Sequence, residues 1–182
     1  MSKTIFTYET EQGKTVKIRE AAEFDAESIL VNAADVLEDA PYMISTVEDV
    51  KELTIADVQQ MIEMYSQNPN YVQFIAEVDN KLVGAIDFKN GSKEKISHQG
   101  SFGMTVLPEY RNCGVGGALL EQLIDWAKNN NEIEKVCLEV MEGNIGAIKL
   151  YKRKGFLEEG RKIKGVKNKN EYQDLLIMAL FV

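Results

Sequence analysis

The sequence is poor in the residues from which zinc sites and disulfide frameworks are built. It contains two cysteines, Cys113 and Cys137, and one histidine, His98. The cysteines have neither CxxC spacing nor partner histidines, which argues against a bound metal. This cysteine usage suits a reducing compartment, and a chain of 182 residues buries a core without disulfides or structural zinc.

Long apolar runs and an excess of basic residues are also missing. No apolar stretch is long enough to cross a bilayer, and residues 1–8 lack the apolar region of a signal peptide. We therefore expect a cytoplasmic protein without membrane contact. The net charge of −8 argues against a nucleic-acid partner. It is compatible with a cationic substrate, although solubility alone also accounts for it.

The chain is predicted to form one domain behind a short N-terminal segment. Residues 1–15 are mostly polar, so this segment is either a leader or an extra edge strand. No linker, internal repeat or low-complexity tract divides residues 16–182. We therefore expect a single domain over residues 16–182.

The hydrophobic pattern predicts an α+β fold. Three strand-like segments follow one another with short turns and no crossover helix, which predicts antiparallel pairing: 71–78, 82–88 and 97–106. Helical spacing over 55–65 follows a capping-box pattern at Thr54 and Asp57. The remaining segments are, in order, an amphipathic helix from Gly114 to Ala127, a strand over 135–140, a short helix over 144–154 and strands over 156–164 and 171–182.

The most informative segment is the glycine-rich loop over residues 111–118, between a strand and a helix. Its glycines let successive backbone N–H groups point one way, and together with the helix N-terminus they favour a diphosphate. A P-loop would need Lys followed by Ser or Thr after the last glycine, where Ala118 and Leu119 stand. A dinucleotide fingerprint would need Gly or Ala at Leu119. A plain turn with a helix cap is the remaining alternative.

With this loop the chain resembles the GNAT N-acetyltransferase superfamily, in particular RimI/RimL-like and small-molecule acetyltransferases. Arg111-Asn112-Cys113-Gly114-Val115-Gly116 matches the family's acetyl-CoA motif. A second motif is matched downstream, by Asn144, Ala147, Leu150, Tyr151, Lys154, Gly155 and Phe156. The resemblance implies a mixed, mostly antiparallel sheet with helices on both faces. It also implies that two central strands splay apart to form a notch for the cofactor.

The resemblance further implies acetyl-CoA as co-substrate and a set of cofactor-binding residues. Backbone N–H groups of the loop would hold the pyrophosphate, at Asn112, Cys113, Gly114, Val115, Gly116, Gly117 and Ala118, with Arg111 contacting phosphate. Residues Met104, Thr105 and Val106 would lie along the pantetheine arm, pairing with it like an added strand. Asn144 would lie beside the same arm, or simply cap a helix. Lys154 completes the set.

For catalysis, the resemblance makes Tyr151 the general acid that protonates the departing thiolate, with a core aromatic as the alternative role. The base is left open. His98 could act near neutral pH or be an ordinary surface histidine. Glu139 and Glu77 are further candidates, each equally suited to a solvated strand position, and a water chain is another route. A covalent intermediate on Cys113 lacks a paired base, so direct transfer is preferred.

The sequence therefore predicts an N-acetyltransferase that acts on a primary amine. The acceptor is a small molecule, a protein N-terminus or a lysine, and its site is expected within residues 36–53. The alternative is a non-catalytic module that binds acyl-CoA and regulates a partner. A third hypothesis is that the chain is a nucleotide-binding protein. A homodimer, common in the family, is left open.

Overall fold

The computed structural model describes residues 4–38 and 40–182, which fold around one mixed eight-stranded sheet. The α+β class that the hydrophobic pattern predicts and the helix-flanked mixed sheet that the resemblance implies are both confirmed. The strands are β1 Thr4–Glu9, β2 Thr15–Glu20, β3 Tyr71–Val78, β4 Lys81–Asn90, β5 Gln99–Val106, β6 Lys135–Met141, β7 Leu157–Asn168 and β8 Glu171–Phe181. The helices are α1 Ala26–Glu38, α2 Val47–Lys51, α3 Ile55–Gln67, α4 Val115–Lys128 and α5 Ile145–Arg153.

The N-terminal segment contributes an edge strand. Residues Thr4–Glu9 form β1, which pairs antiparallel with β2 through neighbours such as Tyr8 and Val16. The described part of this segment therefore forms the extra edge strand, which was one of the two predicted alternatives. Residues 1–3 and Asp39 lie outside the described residues. The division of the chain at residue 15 stays a prediction.

Local sequence signals begin and end the helices as expected. The Thr54 hydroxyl accepts a hydrogen bond from the N–H of Asp57 at 3.2 Å, and the Asp57 carboxylate accepts the N–H of Thr54 at 2.8 Å, which starts α3. Gly155 follows α5 with φ +93°, a left-handed conformation that glycine adopts without strain.

Helices cover both faces of the sheet. Phe88 on β4 contacts the Trp126 ring of α4, with ring centroids 5.5 Å apart. Its neighbour Asp87 accepts a hydrogen bond from Tyr65 of α3. Successive strand residues point to opposite faces, so α4 and α3 lie on opposite sides, which we call the α4 face and the α3 face. The main core lies around α4, whose Leu119, among others, is fully buried.

The sheet splits between β5 and β6, its one parallel pair. The strand order is β1-β2-β3-β4-β5-β6-β8-β7, and every other neighbouring pair is antiparallel. Pairing of β5 with β6 is confined to residues 99–101 and 135–137. Beyond Ser101 and Cys137 the two strands diverge, which leaves a gap open at their C-terminal ends.

Candidate active site

The edge of β5 that faces the gap carries main-chain groups without a strand partner. The N–H of Leu107 donates to the Val83 carbonyl on β4 at 2.9 Å. Main-chain groups alternate in direction along a strand, so those of Val106 and Met104 point away from β4 and into the gap. The Val106 carbonyl accepts a hydrogen bond from Arg111 Nε at 3.2 Å, which ties the glycine-rich loop to this edge.

The glycine-rich loop turns sharply into α4. Asn112 and Gly114 have φ values of +60° and +87°, and Gly114 is the N-cap of the helix. The N–H of Ala118 donates to the Gly114 carbonyl at 2.9 Å, so it is already paired inside the helix. The expectation that N–H groups as far as Ala118 face a ligand is therefore too wide. The N–H groups that precede this first helical bond remain at the helix N-terminus.

A cavity of about 480 Å³ lies between the gap, the glycine-rich loop and α5. The structure brings ten of the predicted residues to its wall: Met104, Thr105, Val106, Arg111, Asn112, Gly114, Gly116, Gly117, Asn144 and Tyr151. Val36 and residues 40–43 line it as well, within the segment from which the acceptor site was expected. The ring of Tyr42 lies 2.8 Å from the position that a Cβ on Gly143 would take, so this segment packs closely over the β6–α5 loop.

Tyr151 lies on the inner wall of the cavity. It is 8% exposed, and its ring packs against Phe102 and Phe156 with centroids 5.7 and 5.9 Å away. Its hydroxyl makes no hydrogen bond to the described residues. Burial raises the pKa of the Tyr151 phenol to about 12, so the group stays protonated at neutral pH and is a hydrogen-bond donor.

Asn144 is the N-cap of α5, which is one of the two roles predicted for it. Its Oδ1 accepts the N–H of Ala147 at 3.2 Å. The amide nitrogen of the same side chain has no partner among the described residues, and Asn144 lines the cavity. The capping role is thus observed, and the geometry leaves the amide N–H groups available for a ligand.

Other predicted cofactor residues lie behind or beside the cavity wall. Val115 is 1% exposed and Ala118 is 9% exposed, both within the main core. The Lys154 ammonium pairs with Glu121 at 3.1 Å. The carbonyl of Cys113 accepts a hydrogen bond from the Tyr8 hydroxyl at 3.1 Å, on the side of the loop that faces β1.

The predicted bases lie in different places. His98 immediately precedes β5 and its carbonyl accepts the N–H groups of Glu134 and Lys135, at the closed end of the split. Six residues of strand, about 20 Å, separate it from Met104, so the structure does not bring it to the cavity. Glu77 pairs with Arg19 at 2.5 Å. Glu139 lies on β6 beyond the last residue paired with β5, and its carboxylate contacts Lys162 at 2.5 Å.

The sequence analysis missed Asp87, a largely buried carboxyl group on β4. Its Oδ2 accepts a hydrogen bond from the Tyr65 hydroxyl at 2.6 Å. Burial raises the pKa of Asp87 above its ordinary value, while the Tyr65 hydrogen bond and the charge of Lys89 oppose that rise. The available signal was an acidic residue inside the otherwise apolar segment 82–88.

The described residues contain neither a cluster of metal ligands nor a helix that could span a membrane. Across residues 4–38 and 40–182, no three His, Cys, Asp or Glu side chains are grouped so that they could hold a metal ion. Within the same described residues, no helix has both the length and the apolar character needed to cross a membrane.

Comparisons with known proteins agree on one family. The model of the acetyltransferase (GNAT) family matches residues 37–156. The L-amino acid N-acetyltransferase AaaT of Escherichia coli (strain K12) is 32% identical over 117 residues, which are 64% of this chain and 72% of that protein. An N-alpha-acetyltransferase of Sulfurisphaera tokodaii is 34% identical over 161 residues, 82% of this chain and 85% of its own.

A solved structure shares the fold. It is described as yncA, a putative acetyltransferase from Salmonella typhimurium with its cofactor acetyl-CoA. The TM-score is 0.80 at 18% identity, and the alignment covers 91% of this chain and 93% of that chain. At this level of identity the likeness concerns the architecture.

Proposed function

The chain belongs to the acetyltransferase (GNAT) family, and from that premise we propose that it transfers the acetyl group of acetyl-CoA directly to a primary amine, with Tyr151 as the general acid. The observation that carries this proposal is the Tyr151 hydroxyl. It lies on the wall of the cavity that the glycine-rich loop also lines, and it has no hydrogen-bond partner among the described residues. A hydroxyl that donates to no protein group and lines a cavity is available to donate a hydrogen bond to a ligand atom there.

The gap and the glycine-rich loop offer main-chain groups suited to the amide and phosphate groups of acetyl-CoA. The pantetheine arm carries amide groups, which pair with the outward main-chain groups of Met104 and Val106 as an added strand would. The pyrophosphate lies at the N-terminus of α4, where backbone N–H groups and the helix dipole favour negative charge. Asn144 contributes its amide nitrogen from the opposite wall.

The chemistry requires two proton movements. The acceptor ammonium first loses a proton, and the neutral amine then attacks the thioester carbonyl. As the carbon–sulfur bond breaks, Tyr151 gives its proton to the sulfur and regains one from the attacking nitrogen. A phenol with a pKa of about 12 does not ionise to protonate a thiolate whose pKa is about 8.5, so the two transfers are coupled.

Glu139, on β6, is one of the candidate bases that the sequence predicted. Its position beyond the paired part of β6 supports it, because the strand there borders the gap. Its ion pair with Lys162 counts against it, since a cation beside a carboxylate lowers proton affinity. His98 is not retained, because it lies at the closed end of the split.

The acceptor that we propose is an α-amine, on a free amino acid or at a polypeptide N-terminus. One of the named relatives is an L-amino acid N-acetyltransferase and the other is an N-alpha-acetyltransferase. The α1–α2 segment, through residues 40–43, forms one wall of the cavity and limits what approaches the gap.

The test starts with thermal unfolding in the presence of acetyl-CoA, CoA, ATP or NAD. Ligand at 100 times its Kd stabilises a protein by about 2.7 kcal/mol, so the CoA species alone raise Tm by several degrees. Thiol release is then measured with L-amino acids, an unblocked tetrapeptide and the same peptide N-acetylated. Turnover with the unblocked amines supports the proposal. CoA binding without turnover across the panel indicates the regulatory alternative, and stabilisation by ATP or NAD instead refutes the acetyl-CoA site.

A further inference from the structure

A row of aligned residues crosses the α3 face of the sheet at the split. Gln73 pairs with Asp87, and Asp87 pairs with Gly103, on β3, β4 and β5. Ser101 pairs with Cys137, so the next residues on the same face, Gly103 and Glu139, lie on the two sides of the gap. On this face Glu139 borders the gap from β6, and Asp87 lies one strand behind the opposite border, next to Gly103.

Gly103 leaves the space between Asp87 and the gap uncovered. The residue is exposed, and a Cβ there would have one neighbour within 4 Å, Asp87 Oδ1 at 3.3 Å. The adjacent residues Phe102 and Met104 point to the α4 face, where they approach Tyr151 and Gly116. An acceptor that reaches the gap from the α3 face thus passes over Gly103 and beside the Asp87 carboxylate.

The two oxygens of Asp87 have different environments. Oδ2 is held by the Tyr65 hydroxyl at 2.6 Å, which fixes the orientation of the carboxylate. Oδ1 has no hydrogen-bond partner among the described residues and lies on the Gly103 side. A carboxylate oxygen that is held in one orientation and has no protein partner is suited to accept a proton.

We propose that Asp87 is the base that accepts the proton released by the acceptor ammonium. The proposal rests on the acetyl transfer proposed above. One proton passes from the ammonium to Asp87 and leaves later for solvent. The neutral amine forms the carbon–nitrogen bond as the carbon–sulfur bond breaks, and the second nitrogen proton ends on the CoA sulfur. The products are the acetylated amine, CoA and one proton.

The charged and titratable groups around Asp87 come from three directions. From α3, the Tyr65 hydroxyl stabilises the ionised form, and burial beside the carboxylate raises the pKa of Tyr65 so that it remains a donor. On β4 itself, Lys89 lies over the Tyr65 ring at 4.8 Å and lowers the pKa of Asp87. From β3, the ring of Tyr71 packs against the ring of Tyr65, with centroids 5.9 Å apart. The β5 residues beside Asp87 are not ionisable, and Glu139 lies across the gap.

The decisive variant is Asp87→Asn, which keeps an oxygen to accept the Tyr65 hydrogen bond. We expect kcat/KM for L-phenylalanine or tetra-alanine to fall about 10²- to 10⁴-fold. The acidic limb of its pH profile disappears, while Tm and the KM for acetyl-CoA stay unchanged. Asp79→Asn is the matched control: it changes an exposed aspartate in the β3–β4 turn, with φ +51°, a conformation that asparagine tolerates well, and it leaves the profile intact.

The Tyr65→Phe variant distinguishes a role of Asp87 as a base from a purely structural role. It removes the hydrogen bond that lowers the pKa of Asp87, so the acidic limb moves to higher pH. A merely structural Asp87 would leave the limb where it is. An acidic limb that persists in Asp87→Asn and disappears in Glu139→Gln overturns the proposal and assigns the base to β6.

A further measurement does not depend on turnover. If the wild-type protein acetylates neither amine, the proposed function fails; carboxyl NMR of Asp87 tests separately whether this group has the proton affinity that the inference requires. A midpoint above the ordinary aspartate value of about 3.9, and higher again in Tyr65→Phe, supports a group tuned to take a proton. A midpoint at or below 3.9, or one that Tyr65→Phe leaves unmoved, contradicts it.

Discussion

Tyr151→Phe tests the catalytic role of Tyr151 without changing its packing, because the ring makes the contacts with the core and the hydroxyl is the proposed acid. The ring keeps its contacts with Phe102 and Phe156, and the hydroxyl gives up no hydrogen bond to the described residues. We therefore expect the free energy of unfolding to change by no more than about 0.5 kcal/mol. Loss of proton donation to the sulfur lowers kcat about 10²- to 10⁴-fold, which corresponds to about 3–5 kcal/mol in the transition state.

The assay pairs two measurements on the same preparation. Thiol release at saturating acetyl-CoA and amine gives kcat, and urea unfolding gives stability. A kcat within tenfold of the wild-type value would remove Tyr151 from the acid role. A loss of several kcal/mol in stability would show instead that the hydroxyl has a structural partner, and the inference from its unpaired state would fail.

Three further substitutions test other parts of the molecule. Tyr8→Phe removes the hydrogen bond to the Cys113 carbonyl, worth about 0.5–1.5 kcal/mol, so steady-state kinetics should show an acetyl-CoA KM about two- to tenfold higher with kcat unchanged. Asp57→Ala removes a carboxylate whose pKa is held low by the Thr54 side chain and N–H. Its contribution is present above the ordinary aspartate pKa of about 3.9 and is lost as pH falls through the lowered value, so thermal unfolding should show a Tm deficit at pH 7 that narrows towards pH 3. Leu119→Ala empties a fully buried site and should cost about 2–5 kcal/mol in denaturant unfolding; a loss below 1 kcal/mol would contradict the core assignment.

The glycine-rich loop could be found from the sequence because its signals are local. Glycines before an amphipathic stretch specify a turn and a helix start within a few residues, and the structure has Gly114 as the N-cap of α4. The sequence did not show how many N–H groups of the loop are free to bind an anion. Whether the N–H of Ala118 is free depends on where the first helical hydrogen bond forms, and that bond closes on Gly114.

Asp87 could not be found in this way, because its environment depends on strand register. The sequence shows an acid within an apolar strand, but its position opposite Gly103 follows from how β4 pairs with β5. Residues 40–43 were difficult for another reason. They belong to the less periodic stretch over residues 36–53, and their place at the cavity is set by packing over the β6–α5 loop.

The short parallel pairing of β5 with β6 has a mechanical consequence. Strands β1 to β5 form one plate and β6, β8 and β7 another, and within the sheet the two are joined by three residue pairs and by the His98 carbonyl. A ligand whose amide groups pair with the open edge of β5 would cover main-chain groups that the sheet leaves unpaired there, so amide hydrogen exchange along that edge should slow when the ligand binds. His98, at the closed end of the split, joins the two plates through its main-chain carbonyl.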